Sequence, residues 1–179
     1  KALIRSARAA DTLRHANRYG LESVPVKGSF KNIMNRVREV IAKVEPHDSP
    51  ERYRKLGVDC ITGEASFVSP WELEVRHNDG RTERLTARSI VVATGGKPAV
   101  PSIPGLEDME PLTSDNLWQL EEQPDRLLVL GGGPIGSELA HAFARLGSQV
   151  TQVEMGERLL AKEDADVSEL VLNQFRADG

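Results

Sequence analysis

Apolar residues alternate with arginine at three- and four-residue intervals over residues 1–19, which predicts a helix. Gly20 to Gly28 breaks that rhythm and predicts a loop. Phe30, Ile33, Met34, Val37, Val40, Ile41 and Val44 restore it, one apolar stripe of an amphipathic helix that Pro46 and Pro50 interrupt. Glu51 to Leu56 predicts a further short helix. The period then shortens to that of strands, in Val58–Thr62, Ala65–Val68, Trp71–Val75 and Glu83–Thr86, with Asn78-Asp79-Gly80 as a hairpin turn between the last two. Ser89 to Ala93 is a nearly continuous apolar strand ending at Thr94-Gly95-Gly96. Residues 97–113 hold four prolines and one glycine, an extended connection and the best domain boundary. A short helix follows at Ser114–Leu120, then a buried strand Arg126–Leu130, a helix Pro134–Leu146, a strand Gln149–Glu154 and a helix Ala165–Ala177. The order strand, helix, strand, helix is the start of a parallel α/β domain.

Composition narrows the function. The 179 residues include 23 basic and 27 acidic side chains, a net charge of -4 that argues against a nucleic-acid binder. The longest apolar runs, Ile90–Ala93 and Leu127–Leu130, are too short to cross a bilayer, so no membrane partner is expected. A single cysteine, Cys60, excludes an internal disulfide framework and a four-cysteine zinc site, and makes a reducing, cytoplasmic location the expectation. Cys60 reads as a small buried hydrophobe in an apolar strand. Glu45, His47 and Asp48 share a proline-broken loop and read as solvated, so no metal site is assigned. Arg36, Arg38, Lys43, Arg52, Arg54 and Lys55 read as a solvated helix face. Lys1-Ala2-Leu3-Ile4 reads as a helix already under way and Phe175 to Gly179 as a last helical turn, so the chain is expected to be an internal fragment.

The strongest chemical signal is Gly131-Gly132-Gly133-Pro134-Ile135-Gly136, a G-x-G-x-x-G between the predicted strand and helix. Gly131 permits a tight turn, Gly133 lets the backbone approach a pyrophosphate, and Gly136 lets the helix pack against the strand. The helix N-terminus then offers free N–H groups and the positive end of its dipole to the phosphates. Glu154 ends the next strand, eighteen residues beyond Gly136, where a carboxylate accepts hydrogen bonds from both ribose hydroxyls and repels a 2′-phosphate. NAD(H) is therefore favoured, while the neighbouring Arg158 keeps NADP(H) open.

Four segments in order, Lys1-Ala2-Leu3-Ile4, Ala93-Thr94-Gly95-Gly96-Lys97-Pro98, Thr113-Ser114-Asp115 with Leu120 to Pro124, and Gly131 to Ala140, resemble the flavoprotein pyridine nucleotide–disulfide oxidoreductases. The segment Ile41 to Ser49 is most similar to the mercuric reductase-like and lipoamide dehydrogenase-like members. The resemblance implies an α/β fold of two consecutive, incomplete Rossmann-type domains. Residues 1–108 would be the later part of an FAD-binding domain with an inserted small antiparallel sheet, and 109–179 the first half of an NAD(P)-binding domain. It implies that Lys1 lies beside the flavin, that the backbone of Ala65 meets the FAD adenine, and that Thr94, Gly95 and Gly96 pass close to FAD. It places Gly131, Gly132, Gly133, Pro134, Ile135, Gly136 and Glu154 at the nicotinamide dinucleotide.

The expected parent is a homodimeric enzyme that passes hydride from NAD(P)H to FAD and electrons on to a redox disulfide or to Hg(II). Disulfide exchange needs a second thiol, which Cys60 lacks, so no catalytic residue is assigned and the fragment is expected to be inactive. The alternatives are a non-catalytic dinucleotide-binding fragment, or an NAD-dependent oxidoreductase without disulfide chemistry.

Overall fold

The computed structural model describes residues 1–179. It forms two compact units, one of residues 1–41 with 112–179, the other of residues 42–111.

The first unit is built on α1 (Ala2–Arg14), α2 (Phe30–Val44), α4 (Pro134–Leu146) and α5 (Ala165–Asp178), with the parallel strands β4 (Arg126–Leu130) and β5 (Gln149–Val153). α1 turns Leu3, Ala7 and Ala10 inward, and α2 turns Phe30, Met34 and Val37 inward, the spacing of one helical face in each case. Ser29 accepts the Asn32 N–H at 3.2 Å and starts α2. These residues close on Ala142 and Phe143 of α4 and on Leu117, with the Phe30 and Phe143 rings 5.8 Å apart. Burial of Leu3, Met34 and Phe143, each 1% exposed or less, stabilises the unit by about 1.5–3 kcal/mol per side chain. The stripe of α2 ends there, for Ile41 and Val44 are exposed. Ser114 to Leu120, expected as a helix, contains a single 3₁₀ turn at Leu117–Gln119.

Strands β4 and β5 pair in register from Arg126 opposite Gln149 to Leu130 opposite Val153, with α4 as the crossover between them. Gly147 closes α4 in the left-handed region at φ 112, and its N–H bonds the carbonyls of Phe143 and Ala144. The strand–helix–strand unit expected from residue 126 onward is thus present. It carries the glycine turn at the end of β4 and Glu154 directly after β5.

The second unit contains α3 (Pro50–Lys55) and a three-stranded antiparallel meander of β1 (Gly63–Ser69), β2 (Glu72–His77) and β3 (Thr82–Thr86). The Asn78–Gly80 turn joins β2 to β3, with His77 N–H to Arg81 O at 2.8 Å and Gly80 N–H to His77 O at 3.0 Å. Val75 is its one buried residue, whereas Phe67, Val68 and Trp71 are exposed.

Two expected strands do not form. Val58–Thr62 and Ser89–Ala93 are irregular, and Val91 and Val92 are 88% and 67% exposed. A strand satisfies its backbone through a neighbour, and no strand of this chain pairs with either segment. Cys60 accordingly lies half-buried in an irregular segment, not in a strand, with its Sγ 3.7 Å from Pro50 O. The arginines of α2 are not merely solvated. Arg36 bonds Ala2 O at 3.1 Å and Ser6 Oγ at 3.3 Å, and Arg38 bonds Trp118 O at 3.4 Å, tying α2 to two neighbouring segments.

Candidate dinucleotide-binding site

The glycine turn is shaped by three different constraints. Gly131 has φ 112, open to glycine and strained for any other residue. A Cβ on Gly136 would stand 2.5 Å from Gly131 O, so the tight approach is to the turn's own carbonyl, where the strand had been expected. Gly133 differs from both. Its backbone, φ -73 and ψ 177, suits any residue, and a Cβ there would meet nothing within 4 Å. The fold places no steric demand on Gly133; a ligand laid against the turn would.

Gly133 is also the N-cap of α4, and no side chain caps that helix. The first intrahelical bond is Ser137 N–H to Gly133 O at 3.0 Å, so the Ile135 and Gly136 N–H groups precede the helical ladder. Pro134 at the first position has no N–H to satisfy. An uncapped helix start with an open surface fits a phosphate pair.

Glu154 reaches back to this turn. Its Oε2 accepts the Gly132 N–H at 2.5 Å and its Oε1 accepts the Gly156 N–H at 2.6 Å. Those bonds, from Gly156 first and then Gly132, hold its carboxyl below the usual carboxylate range. Glu154 is therefore ionised at neutral pH and stands beside the turn. An ionised carboxylate has about four acceptor positions, so two serve these N–H groups and others are left for hydroxyl donors.

Sequence reasoning leaves Gly132 without a structural role, yet a Cβ there would lie 2.7 Å from Leu159 and 2.9 Å from Glu154. Nor does it find Leu160, whose φ of 50 is uncommon outside glycine and which directs its N–H to Gly132 O at 2.7 Å. Gly132 O also accepts the hydroxyl of buried Ser137 at 3.3 Å. Arg158, the candidate for a 2′-phosphate, donates to Ala161 O at 3.0 Å. A cavity of about 400 Å³ opens beside these residues, lined by His141, Gln152, Glu154, Arg158 and Phe175 among others.

Of the residues expected at a flavin, Lys1 belongs to the first unit and Ala65, Thr94, Gly95 and Gly96 to the second. Lys1 is 89% exposed and pairs with Glu138 of α4 at 3.0 Å. Ala65 lies in β1 opposite Val75 and is exposed. Thr94, Gly95 and Gly96 are exposed in an irregular segment, and a Cβ on either glycine would touch nothing within 4 Å.

A family model described as pyridine nucleotide-disulphide oxidoreductase matches residues 6–179. The chain belongs to that family. Within the pyridine nucleotide-disulphide oxidoreductases, it is 33% identical over 180 residues to a mercuric reductase of Streptomyces lividans, covering 100% of this chain and 38% of that protein. It is 35% identical over 181 residues to a dihydrolipoyl dehydrogenase of Chlorobaculum tepidum, again covering 100% of this chain and 38% of the relative. Among solved structures, the HOCl-induced flavoprotein disulfide reductase RclA from Escherichia coli superposes with a TM-score of 0.77 at 27% identity, covering 100% of this chain and 36% of that one. LpdA from Mycobacterium tuberculosis gives a TM-score of 0.77 at 29% identity, covering 100% of this chain and 39% of that one. The chain thus spans under two fifths of the length of these relatives. No helix is long and apolar enough to cross a membrane.

Proposed function

We propose that residues 109–179 form the first half of an NAD(H)-binding domain in a flavoprotein oxidoreductase. Residues 1–108 would then supply the later part of its FAD-binding domain. The observation that carries the reading is Gly133, a glycine the fold does not require, at an uncapped helix start facing an ionised carboxylate. When bound, the dinucleotide would supply the hydride donor of the whole protein. This chain's residues would do the holding. The Ile135 and Gly136 N–H groups would receive the pyrophosphate, Gly133 would keep its path clear, and Glu154 would accept the ribose hydroxyls. NAD(H) is preferred over NADP(H), because Glu154 repels a 2′-phosphate while Arg158 is turned to Ala161 O.

The relatives' names support a lipoyl-type disulfide or Hg(II) as the whole protein's acceptor, and the proposal is that electrons reach it through FAD in a cytoplasmic homodimer. A second reading concerns the 179 residues alone. Thr94–Gly96 are exposed and residues 42–111 bury one side chain, so the chain by itself would bind dinucleotide without turnover.

The test is an NADH and NADPH titration of the chain by fluorescence and calorimetry, repeated with Glu154→Arg. Saturable NADH binding that weakens about tenfold in the variant, with NADPH binding gained, is expected. Equal affinities for the two cofactors in both proteins would defeat the assignment of Glu154.

A further inference from the structure

Gln152 is the side chain whose chemistry the site described so far does not use. It stands on β5, two residues before Glu154, so the two lie on the same side of the strand. Its Nε2 donates to Gly131 O at 2.9 Å and to Ser137 Oγ at 3.2 Å. Its Oε1 is buried with no partner. The orientation is set by chemistry, because only the NH₂ end can face a carbonyl oxygen. The orphaned oxygen is the consequence, and a leucine of similar size would carry none.

The two bonds have a common target. Gly131 C=O and Gly132 N–H belong to one rigid peptide plane. Gln152 holds the oxygen end of that plane, and Glu154 holds the N–H end at 2.5 Å. The same carbonyl is where a Cβ on Gly136 would collide, so its direction fixes how closely α4 approaches the turn. The next plane is held at its oxygen by Leu160 and Ser137, and Ser137 is itself bonded by Gln152. Each Glu154 oxygen already accepts one turn N–H, so ribose hydroxyls arriving at its remaining acceptor positions would compete with its hold on the turn. Gln152 can keep the turn in place while Glu154 redirects its oxygens.

We infer that Gln152 is a positioning residue for the dinucleotide: its carboxamide clamps the Gly131–Gly132 peptide so that the turn stays set when Glu154 engages the ribose. This rests on the NAD(H) reading above.

NAD⁺ binding by the chain, well below its melting temperature, tests it in Gln152→Leu and Gln152→Glu. Gln152→Leu should melt within a few degrees of the wild type, having lost the orphaned oxygen together with the bonds. It should bind NAD⁺ about fivefold more weakly, the worth of roughly one neutral hydrogen bond. Gln152→Glu keeps the shape but sets a carboxylate against Gly131 O. Its binding should be weakest at pH 7.5 and recover at pH 5 as the acid protonates and regains a donor, an ordinary glutamate titrating at about 4.3 and burial raising it. The wild type at each pH corrects for the other groups lining the cavity, Glu154, His141, Glu157, Arg158 and Arg176.

Wild-type affinity in Gln152→Leu, or no recovery of Gln152→Glu at low pH, overturns the inference while leaving the NAD(H) reading intact. Absence of NAD⁺ binding by the wild type overturns the reading that these 179 residues hold the dinucleotide by themselves. The clamp is then read separately from amide exchange at Gly132 and Gly133, which Gln152→Leu should accelerate severalfold; unchanged exchange overturns the clamp itself.

Discussion

Valine placed at Gly133 and at Gly136 should separate what the turn owes to a ligand from what it owes to the fold. At Gly133 the backbone already has values open to valine, and the new Cβ enters empty space. The folding cost is that of a poor N-cap, about 1 kcal/mol. In a chain of this size that lowers Tm by about 2–4 °C. The binding cost is larger, since the side chain fills the space a pyrophosphate would use. An overpacking term of about 1–3 kcal/mol weakens NADH binding by about 5- to 150-fold. At Gly136 the balance reverses. The Cβ falls 2.5 Å from Gly131 O, and Gln152 holds that carbonyl from another side at 2.9 Å. Part of the turn must move, costing about 2–3 kcal/mol and about 5–10 °C in Tm. Thermal unfolding followed by circular dichroism gives the first quantity, and NADH titration at low temperature the second. Near-wild-type NADH affinity in Gly133→Val, or a Tm loss there as large as in Gly136→Val, would refute the reasoning.

Two further predictions concern the scaffold. Asp178 is almost buried, and its Oδ2 lies 2.6 Å from His141 Nε2 and 3.0 Å from Arg145 Nη2. Burial pushes its carboxyl up, but bonds from His141 and Gln174 and the charge of Arg145 outweigh it, so the net shift is downward. The tether from α5 to α4 is therefore fully present above the ordinary aspartate range and lost as pH falls through the lowered value. Chemical shifts of Phe175, whose ring lies 4.6 Å from that of His141, should report its release only under strongly acidic conditions. Asp178→Asn should reproduce the release at neutral pH, and an unchanged Phe175 signal there would contradict the tether. Phe143→Ala empties the centre of the first unit, where the ring is 1% exposed, and should cost about 3–5 kcal/mol in denaturant unfolding. A loss below about 1 kcal/mol would show that Phe30 and its neighbours collapse into the space.

The glycine turn, α4 and its flanking strands are legible in residues 126–154 because each rests on local causes. Gly131 needs a positive φ, Pro134 suits a helix start, and Leu127 and Val129 alternate across β4. Helices α1 and α2 are legible for the same reason, as their buried residues follow the helical period. Ser89–Ala93 shows where local reading stops. Its apolar run is indistinguishable from a buried strand, but a ladder needs a neighbour, and none pairs with it. Gln152 shows the opposite failure. In the sequence it is one polar residue within a strand; in the fold its amide meets a carbonyl twenty-one residues away. The same holds for Glu154 on Gly132, Leu160 on Gly132 and Arg38 on Trp118. Backbone conformation and periodicity are properties of neighbouring residues and are written in their order. Which donor meets which acceptor across the chain depends on distances that exist only after the helices and strands have packed.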